Sequence, residues 1–592
     1  MQLSKATEAG GNVSLFNIHH IEVHNESERS LMTKHLDKTV AIYGAGIAGL
    51  SAAHELAKRG WQVSVYETNA DAGGFFRSAR VAGDHNMPSE YSWHGLGPWY
   101  HNVFDLMRQI PFDASGSVYE RALSRPIAFG VGPDQGQAAF NDTGGRAVQV
   151  GKMFRMTWLD RLRWSWLLLK VWTANRRSTE HYSAVNAAAQ WRPVLSATAW
   201  STWVACFGPW IGSDWTRVSL HHAGHFFRKQ LFCQPAHDHA ADSEGPAWQQ
   251  GAGTGWLLLR GPSSEVWFKH WLRHLETSGV RFHWQETLQR LDFDGERITA
   301  AHLDSGTKVE AAVHVLATHP FAAAEIIART PELEQLEQLH LFKPLIQHGP
   351  HVQVSFRIAF AERLLWPRER CALVLADSEF DLTIFAEEQV WAPGVALGED
   401  VASLWTGTSC VSSIPGRLFG LPVEHCSKEQ FIAEVKAQLL RCGSLDGLIR
   451  EANGGRSLAS FEILRFEVWH EWTFSAEGIR SQQPKWVNSS GTLQWQPTQA
   501  TPVANLLLAG AHTRTEADVW SIEAAVESGR RAAQLIEPDT TVLPQYLPNW
   551  LRLFGAVDDW LYRLNAPHIL DLLLAGVLVG LVVLAMVAAG LI

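Results

Sequence analysis

Three glycines in the run Gly44-Ala45-Gly46-Ile47-Ala48-Gly49 are a device for bringing a backbone against a pyrophosphate. Gly44 permits a tight turn, Gly46 lets the main chain approach the phosphates, and Gly49 lets a following helix pack closely on the preceding strand. The phosphate charge then falls at a helix N-terminus, where unpaired N–H groups and the helix dipole favour an anion. Glu67 follows at close to the spacing expected of a carboxylate that accepts from ribose hydroxyls.

The elements needed to hold these groups are readable on either side. Thr39-Val40-Ala41-Ile42-Tyr43 has the pattern of a short buried strand that runs straight into the glycines. Leu50, Ala53, Leu56 and Ala57 recur at helical spacing up to Gly60, and Trp61 to Tyr66 forms a second strand ending in Glu67. Strand, turn, helix and acidic strand end agree with one another, so the glycines predict a dinucleotide site. Gly251-Ala252-Gly253-Thr254-Gly255 has similar letters, but it follows the polar stretch Gln234 to Gln250 instead of a strand and reads as a flexible loop. No dedicated NADPH domain is expected.

Further motifs narrow the dinucleotide. Gly73-Gly74-Phe75-Phe76-Arg77-Ser78 supplies a second glycine pair; Glu90-Tyr91-Ser92-Trp93-His94 and Tyr100-His101-Asn102 follow it. Near the other end, Asn505 to Gly510 reads as a buried strand closed by glycine, and Trp520-Ser521-Ile522-Glu523-Ala524 as the opening of a helix. Together these segments resemble the flavin amine oxidase and phytoene desaturase superfamily. The resemblance spans about residues 38 to 536, with specific motifs at its two ends. It implies FAD as cofactor, with Gly73, Gly74 and Arg77 along the pyrophosphate and flavin, and Thr68 next to the ribose carboxylate. It also implies a backbone contact from Leu288 to the adenine, Gly510 at the pyrophosphate-ribityl chain, and the helix start at Ser521, Ile522 and Glu523 facing the flavin. One departure is Ala511, where the family usually carries Asp. Glu90 and His94 are the catalytic candidates that the resemblance offers, as acceptors for a proton released in desaturation; His319 is a third.

The implied fold is α/β, with a discontinuous Rossmann-type FAD-binding domain built from residues 36–110, 250–320 and 500–538. A mixed α+β substrate domain takes 111–249 and 321–499. Residues 1–35 are polar, lack the apolar stretch of a secretory signal, and read as a flexible tail.

The 592 residues suffice for two or three domains and a large enclosed cofactor. A net charge of −10 without a long basic stretch argues against nucleic acid as a partner. The six cysteines form no CxxC pair, so neither a zinc site nor a disulfide framework is indicated. His221 and His225 share a helical face at i, i+4 but have no identifiable third ligand, and His237, Asp238, His239, Asp242 and Glu244 read as a solvated loop. No metal is expected.

Residues 547–592 read as an amphipathic lead-in, Pro548 to Leu564, followed by an uncharged apolar run from Leu572 to Ile592. As a helix that run is ~31 Å long, close to the hydrocarbon thickness of a bilayer. Arg552 and Arg563 precede it and nothing charged follows Asp571, so a single-pass C-terminal anchor with a cytoplasmic body is expected. Gly576 and Gly580 are a small-residue pair of the kind that brings two such helices together as a homo-oligomer. Phe154 to Val171, with Trp158, Leu162 and Trp166 at helical spacing among Arg155, Arg161 and Arg163, suits a basic helix that lies either in a membrane interface or packed on the sheet. The 27 tryptophans serve either core or interface.

The expected activity is FAD-dependent oxidation of a hydrophobic substrate by hydride transfer to flavin N5. A carotenoid or other isoprenoid leads, a membrane acyl chain is the nearest alternative, and oxygen or a membrane quinone takes the electrons. Rival readings are an amine or protoporphyrinogen oxidase, and a flavin-free prenyl-lipid binder such as the Rab GDP-dissociation inhibitors, which share the fold.

Overall fold

The computed structural model describes residues 38–91, 94–124, 127–141, 153–212, 214–233, 256–367, 370–481 and 483–588. The expectations made for the tail at 1–35, for Ser92 and Trp93, and for the loops around His237 and Gly251 fall outside these residues.

A parallel five-stranded sheet is assembled from distant parts of the chain. Its order is Arg281–Trp284, Gln62–Glu67, Thr39–Tyr43, Val313–Leu316, Leu506–Leu508. The strand Val313–Leu316 is buried along its whole length, as a parallel strand covered on both faces must be. Between Arg281–Trp284 and Val313–Leu316 in sequence, the antiparallel hairpin Leu288–Phe293 with Ile298–Leu303 belongs to a separate three-stranded sheet.

Two helices lie together over the sheet, Ile47–Ala57 after the glycine turn and Ile522–Gln534 near the C-terminal end. Their approach depends on Gly529, where any Cβ would collide with the carbonyl oxygen of Ala48. Both helices begin beside the same cavity, which Ile47, Ala48, Ser521 and Ile522 help to line. That is the place where open parallel sheets bind ligands.

A second sheet of seven strands runs in the order Ile463–Val468, Ser355–Phe360, Ser403–Ser409, Leu382–Phe385, Ala372–Leu375, Phe129–Gly132, Ala139–Phe140. All its pairings are antiparallel except that of Ala372–Leu375 with Phe129–Gly132. The helices Trp158–Trp172, Ala197–Ile211 and Leu220–Leu231 complete this half of the molecule. Trp99, Trp191, Trp203, Trp267, Trp271, Trp405 and Trp469 are fully buried, which assigns these tryptophans to the core.

The expected basic helix begins at Trp158 instead of Phe154, because Arg155 takes a φ of +52° that a helix cannot accommodate. Its Trp164, Leu168 and Trp172 face inward, while Trp158 and Leu162 are exposed. The lead-in forms the helix Asn549–Arg563, whose Asp558 receives the Arg177 guanidinium at 2.9 and 3.2 Å. The apolar helix Ile569–Ala588 has no buried residue, has a mean hydropathy of 2.7, and is long and apolar enough to cross a membrane.

Candidate cofactor and substrate cavity

A cavity of about 550 Å³ runs along the carboxyl ends of the parallel strands and on beneath the helices Ala197–Ile211 and Leu220–Leu231. Its nucleotide end fits FAD on three grounds. Gly46, the N-cap of the first helix, brings no side chain to the first-turn N–H groups, which leaves them open to an anion at Ile47 and Ala48. Gly44 has a φ of +114°, and a Cβ there would stand 2.6 Å from the Ala317 carbonyl oxygen. Gly49 is behind the wall, where a Cβ would strike the Gly44 carbonyl; its part is close packing, as its place in the turn predicts. Glu67 ends its strand at the cavity wall, accepting from the Ala45 N–H at 2.6 Å and the Asn69 N–H at 2.9 Å. Burial pushes its carboxyl up against the pull of those donors.

Of the residues expected at the cofactor, Gly44, Gly46, Ile47, Ala48, Glu67, Thr68, Gly73, Gly74, Leu288, Gly510, Ala511, Ser521 and Ile522 line this cavity. Gly510 takes a φ of +150° and donates its N–H to Ser528 Oγ at 2.6 Å. Ser521 caps the closing helix, its hydroxyl accepting from the Ala524 N–H.

Four expected side chains stand elsewhere. Glu523 turns away to the start of the helix His101–Gln109, where it accepts from the N–H groups of Asn102 and Val103 at 3.0 Å each. Burial pushes this carboxyl up to about 8. Arg77 is held by Glu471, by Asp71 at 3.4 Å and by Gln483 at 2.8 Å, with its guanidinium over the Trp469 ring. Glu90 and His94 sit behind the wall formed by Tyr91 and Gly95. Nδ1 of His94 lies 3.1 Å from Glu90 Oε1 without hydrogen-bonding geometry, and its ring stacks on Phe76, which does line the cavity. His319 reaches the cavity, but as the N-cap of the helix Pro320–Ala328, accepting from the Ala322 N–H; burial pushes its imidazole down to about 4.

Other wall residues, Tyr100 apart, carried no motif. His512 stands over Gly510 with its ring driven down to about 3 by burial. Trp99, Tyr100, Phe226 and Trp256 make an aromatic chamber at the far end, and Lys485 is the charged group there. An alternation of apolar residues gives no clue to which of them face a ligand.

The histidine pair acquires the partner that its local sequence lacks. Asp518, distant in the chain, accepts from His221 Nε2 at 2.7 Å and from His225 Nδ1. The three donor atoms lie within 4.8 Å of one another, a spacing open to a metal ion. The surrounding charge argues otherwise: Arg228 and Lys229 are buried beside the same carboxylate, and Lys229 donates to the Ala517 carbonyl. Asp518 already answers two imidazoles and two cations, so a divalent ion would add uncompensated positive charge. The cluster instead fixes the segment that carries Val519, Trp520 and Ser521 into the cavity wall.

Comparison with known proteins follows this geometry. The solved structure of putrescine oxidase, wild type bound to putrescine, superposes with a TM-score of 0.54 at 16% identity, covering 84% of this chain and 99% of that one. An oxidoreductase from Methanosarcina mazei gives 0.53 at 12% identity, over 85% and 100% of the two chains. Likeness at these identities is one of fold. A polyenoic fatty acid isomerase from Ptilota filicina is 34% identical over 80 residues, which is 13% of this chain and 15% of that protein's length. The model of the flavin containing amine oxidoreductase family matches residues 47–537, from the first helix of the glycine turn past the closing helix. The chain belongs to that family, it is an oxidoreductase of the flavin-containing kind, and its cofactor is FAD.

Proposed function

We propose that the protein oxidises a long unsaturated hydrocarbon chain: hydride leaves a C–H bond held against the flavin, the adjacent carbon releases a proton, and a new double bond forms between the two carbons. The observation that carries this reading is the cavity itself, which passes without a partition from the phosphate-binding helix starts into the aromatic chamber of Trp99, Tyr100, Phe226 and Trp256. When bound, FAD supplies a two-electron acceptor at N5. The chain's own part is to place and isolate. The start of the helix Ile47–Ala57 would hold the pyrophosphate, Glu67 would take the ribose hydroxyls, and the backbone at Leu288 would meet the adenine. The aromatic chamber excludes water and orients an apolar chain. We assign residues 36–110, 250–320 and 500–538 to the FAD-binding unit and 111–249 with 321–499 to the substrate unit.

Among apolar chains we place a polyunsaturated acyl chain first and an isoprenoid second. The short match to a polyenoic fatty acid isomerase supports that order. An amine is disfavoured, because a cationic substrate would enter a chamber whose wall already carries the Lys485 ammonium. The helix Ile569–Ala588 serves as a membrane anchor for a cytoplasmic body, and a membrane quinone, or else oxygen, receives the electrons. Anaerobic titration tests the reading: the protein's bound yellow flavin is expected to bleach on addition of a polyunsaturated fatty acid or a polyene. Bleaching by simple amines alone would replace this function with amine oxidation, and a preparation without flavin that binds prenyl lipid would replace it with a carrier.

A further inference from the structure

We propose that Lys485 binds the carboxylate of the substrate, so that the chamber takes a free long-chain acid with its head at this ammonium. The inference rests on the acyl reading above and deepens it.

Lys485 lines the cavity, yet its side chain is almost wholly buried. Its Nζ donates to the Gly212 carbonyl at 2.7 Å and to the Gln353 side-chain oxygen. Both acceptors are neutral, and among the described residues no carboxylate pairs with this ammonium. A buried cation without a counter-charge is expensive, and one that faces a cavity can be compensated by what enters it. Burial pushes the ammonium down to about 8. The charged groups around it do not neutralise it. His351 is kept neutral by its own burial, and the Cys410 thiol, which Gln353 bridges to Lys485, is pushed up to about 12 by burial first and by the Asp381 carboxyl second.

Position separates this charge from the cofactor's phosphates. Gly212 follows the helix Ala197–Ile211 and Gln353 precedes the strand Ser355–Phe360, so Lys485 bridges the helical cover and the seven-stranded sheet. Neither partner belongs to the glycine turn. Ile211, Phe226 and Trp256 stand on the same side of the cavity and offer apolar surface to a chain that starts at the ammonium. The other cation on the wall, Arg329, is at the nucleotide end, where it donates to the Gln289 carbonyl beside Leu288. One cation with an apolar chamber fits an amphiphile with a single anionic head.

The test compares linoleate, linoleyl alcohol and methyl linoleate on the FAD-loaded full chain, with affinity read from perturbation of the flavin absorbance. Linoleate is expected to bind about tenfold to a hundredfold tighter than the alcohol or the ester, the range of a charge-assisted hydrogen bond. Lys485→Met should abolish that preference while flavin content is retained, and Lys485→Arg should keep most of it. Equal affinity of the three ligands for the unaltered protein would overturn the proposal without any variant, and would leave hydride removal from a neutral chain standing. Lys485→Met that shifts the flavin potential, yet still prefers the acid, would assign the ammonium to the cofactor and also overturn it. A protein that carries no flavin at all would remove the functional reading itself, a result distinct from both.

Discussion

Glu523 shows what a motif conveys about a side chain. Its place at the opening of the closing helix points to the flavin, but its carboxylate is spent on the Asn102 and Val103 N–H groups at another helix's start. Anion and helix N-terminus attract each other there, while burial opposes the charge and raises the folded-state pKa from 4.5 to about 8. An acid with a raised folded pKa binds more protons folded than unfolded between those values, so it withdraws stability as pH rises from about 4.5 to about 8. Glu523→Gln is therefore expected to flatten the decline of Tm with pH across that window relative to the unaltered chain; an identical slope in both would show that Glu523 is not the titrating group. Asp518 is the opposite case. Burial works against its charge, but His221 and His225 hold it well below the usual carboxylate range. Asp518→Asn takes from Arg228 and the buried Lys229 the carboxylate that acts on them most strongly, leaving Glu516 and Glu527 as weaker counter-charges, for a loss of up to about 3–5 kcal/mol, the range of other broken buried pairs. Thermal denaturation should show it as a marked fall in Tm. Addition of zinc to the unaltered protein should leave Tm unmoved, and a zinc-dependent rise would make the cluster a metal site.

At the scale of elements, the two helices whose starts face the cavity are held together by a missing side chain. Gly529→Ala would drive a methyl group into the Ala48 carbonyl and the Ser51 side chain, at a cost of about 1–3 kcal/mol for overpacking. The expected outcome is lower Tm together with weaker FAD retention on gel filtration, since separating the helices opens the cavity between them. Gly447→Ala, in the helix Gly443–Ala452 with open space around it, is the matched control and should be neutral or stabilising. If both variants behave alike, the helix contact does not set cofactor affinity. The strand, turn and helix from Thr39 to Ala57 were legible in sequence because local rules dictate them: glycines where a turn and a close approach occur, apolar periodicity on either side. The seven-stranded sheet was not. Phe129–Gly132 pairs with Ala372–Leu375 through Gly130 and Leu373, far apart in the chain, and such a pairing leaves no local mark. For the same reason the motif residues at turns reached the cavity, whereas Arg77 and Glu523 were claimed by partners from elsewhere, and Glu90 and His94 packed behind the wall against each other and Phe76. Lys485 and His512 carried no pattern at all, since what distinguishes them is burial beside a cavity.

Among the described residues, the most exposed tryptophans gather on helices that meet the apolar helix. Trp158 and Leu162 on one helix, 75% and 59% exposed, and Leu553 and Trp560 on another, 65% and 61% exposed, belong to elements tied directly to the start of the apolar helix. Lys170 Nζ meets Asp571 Oδ2 at 2.7 Å, and the Ile569 N–H donates to Asp558, which Arg177 also binds. If the apolar helix spans a bilayer, Asp571 lies at headgroup depth, and the helix Trp158–Trp172 must then rest close to the membrane surface, with Arg161 and Arg163 available to anionic lipid. A chain ended at Leu570 lacks the span but keeps this face, so it should still float with vesicles that contain anionic phospholipid. Replacing Trp158, Leu162 and Trp560 together with Ser removes side chains each worth about 1.5–3 kcal/mol when fully buried, and should weaken that binding by tenfold or more. Tm and flavin content should stay unchanged, because these side chains point into solvent and not into the core. A shortened chain that stays in the aqueous fraction whatever the lipid would leave the apolar helix as the molecule's sole membrane contact, and a substrate would then have to reach the chamber through water.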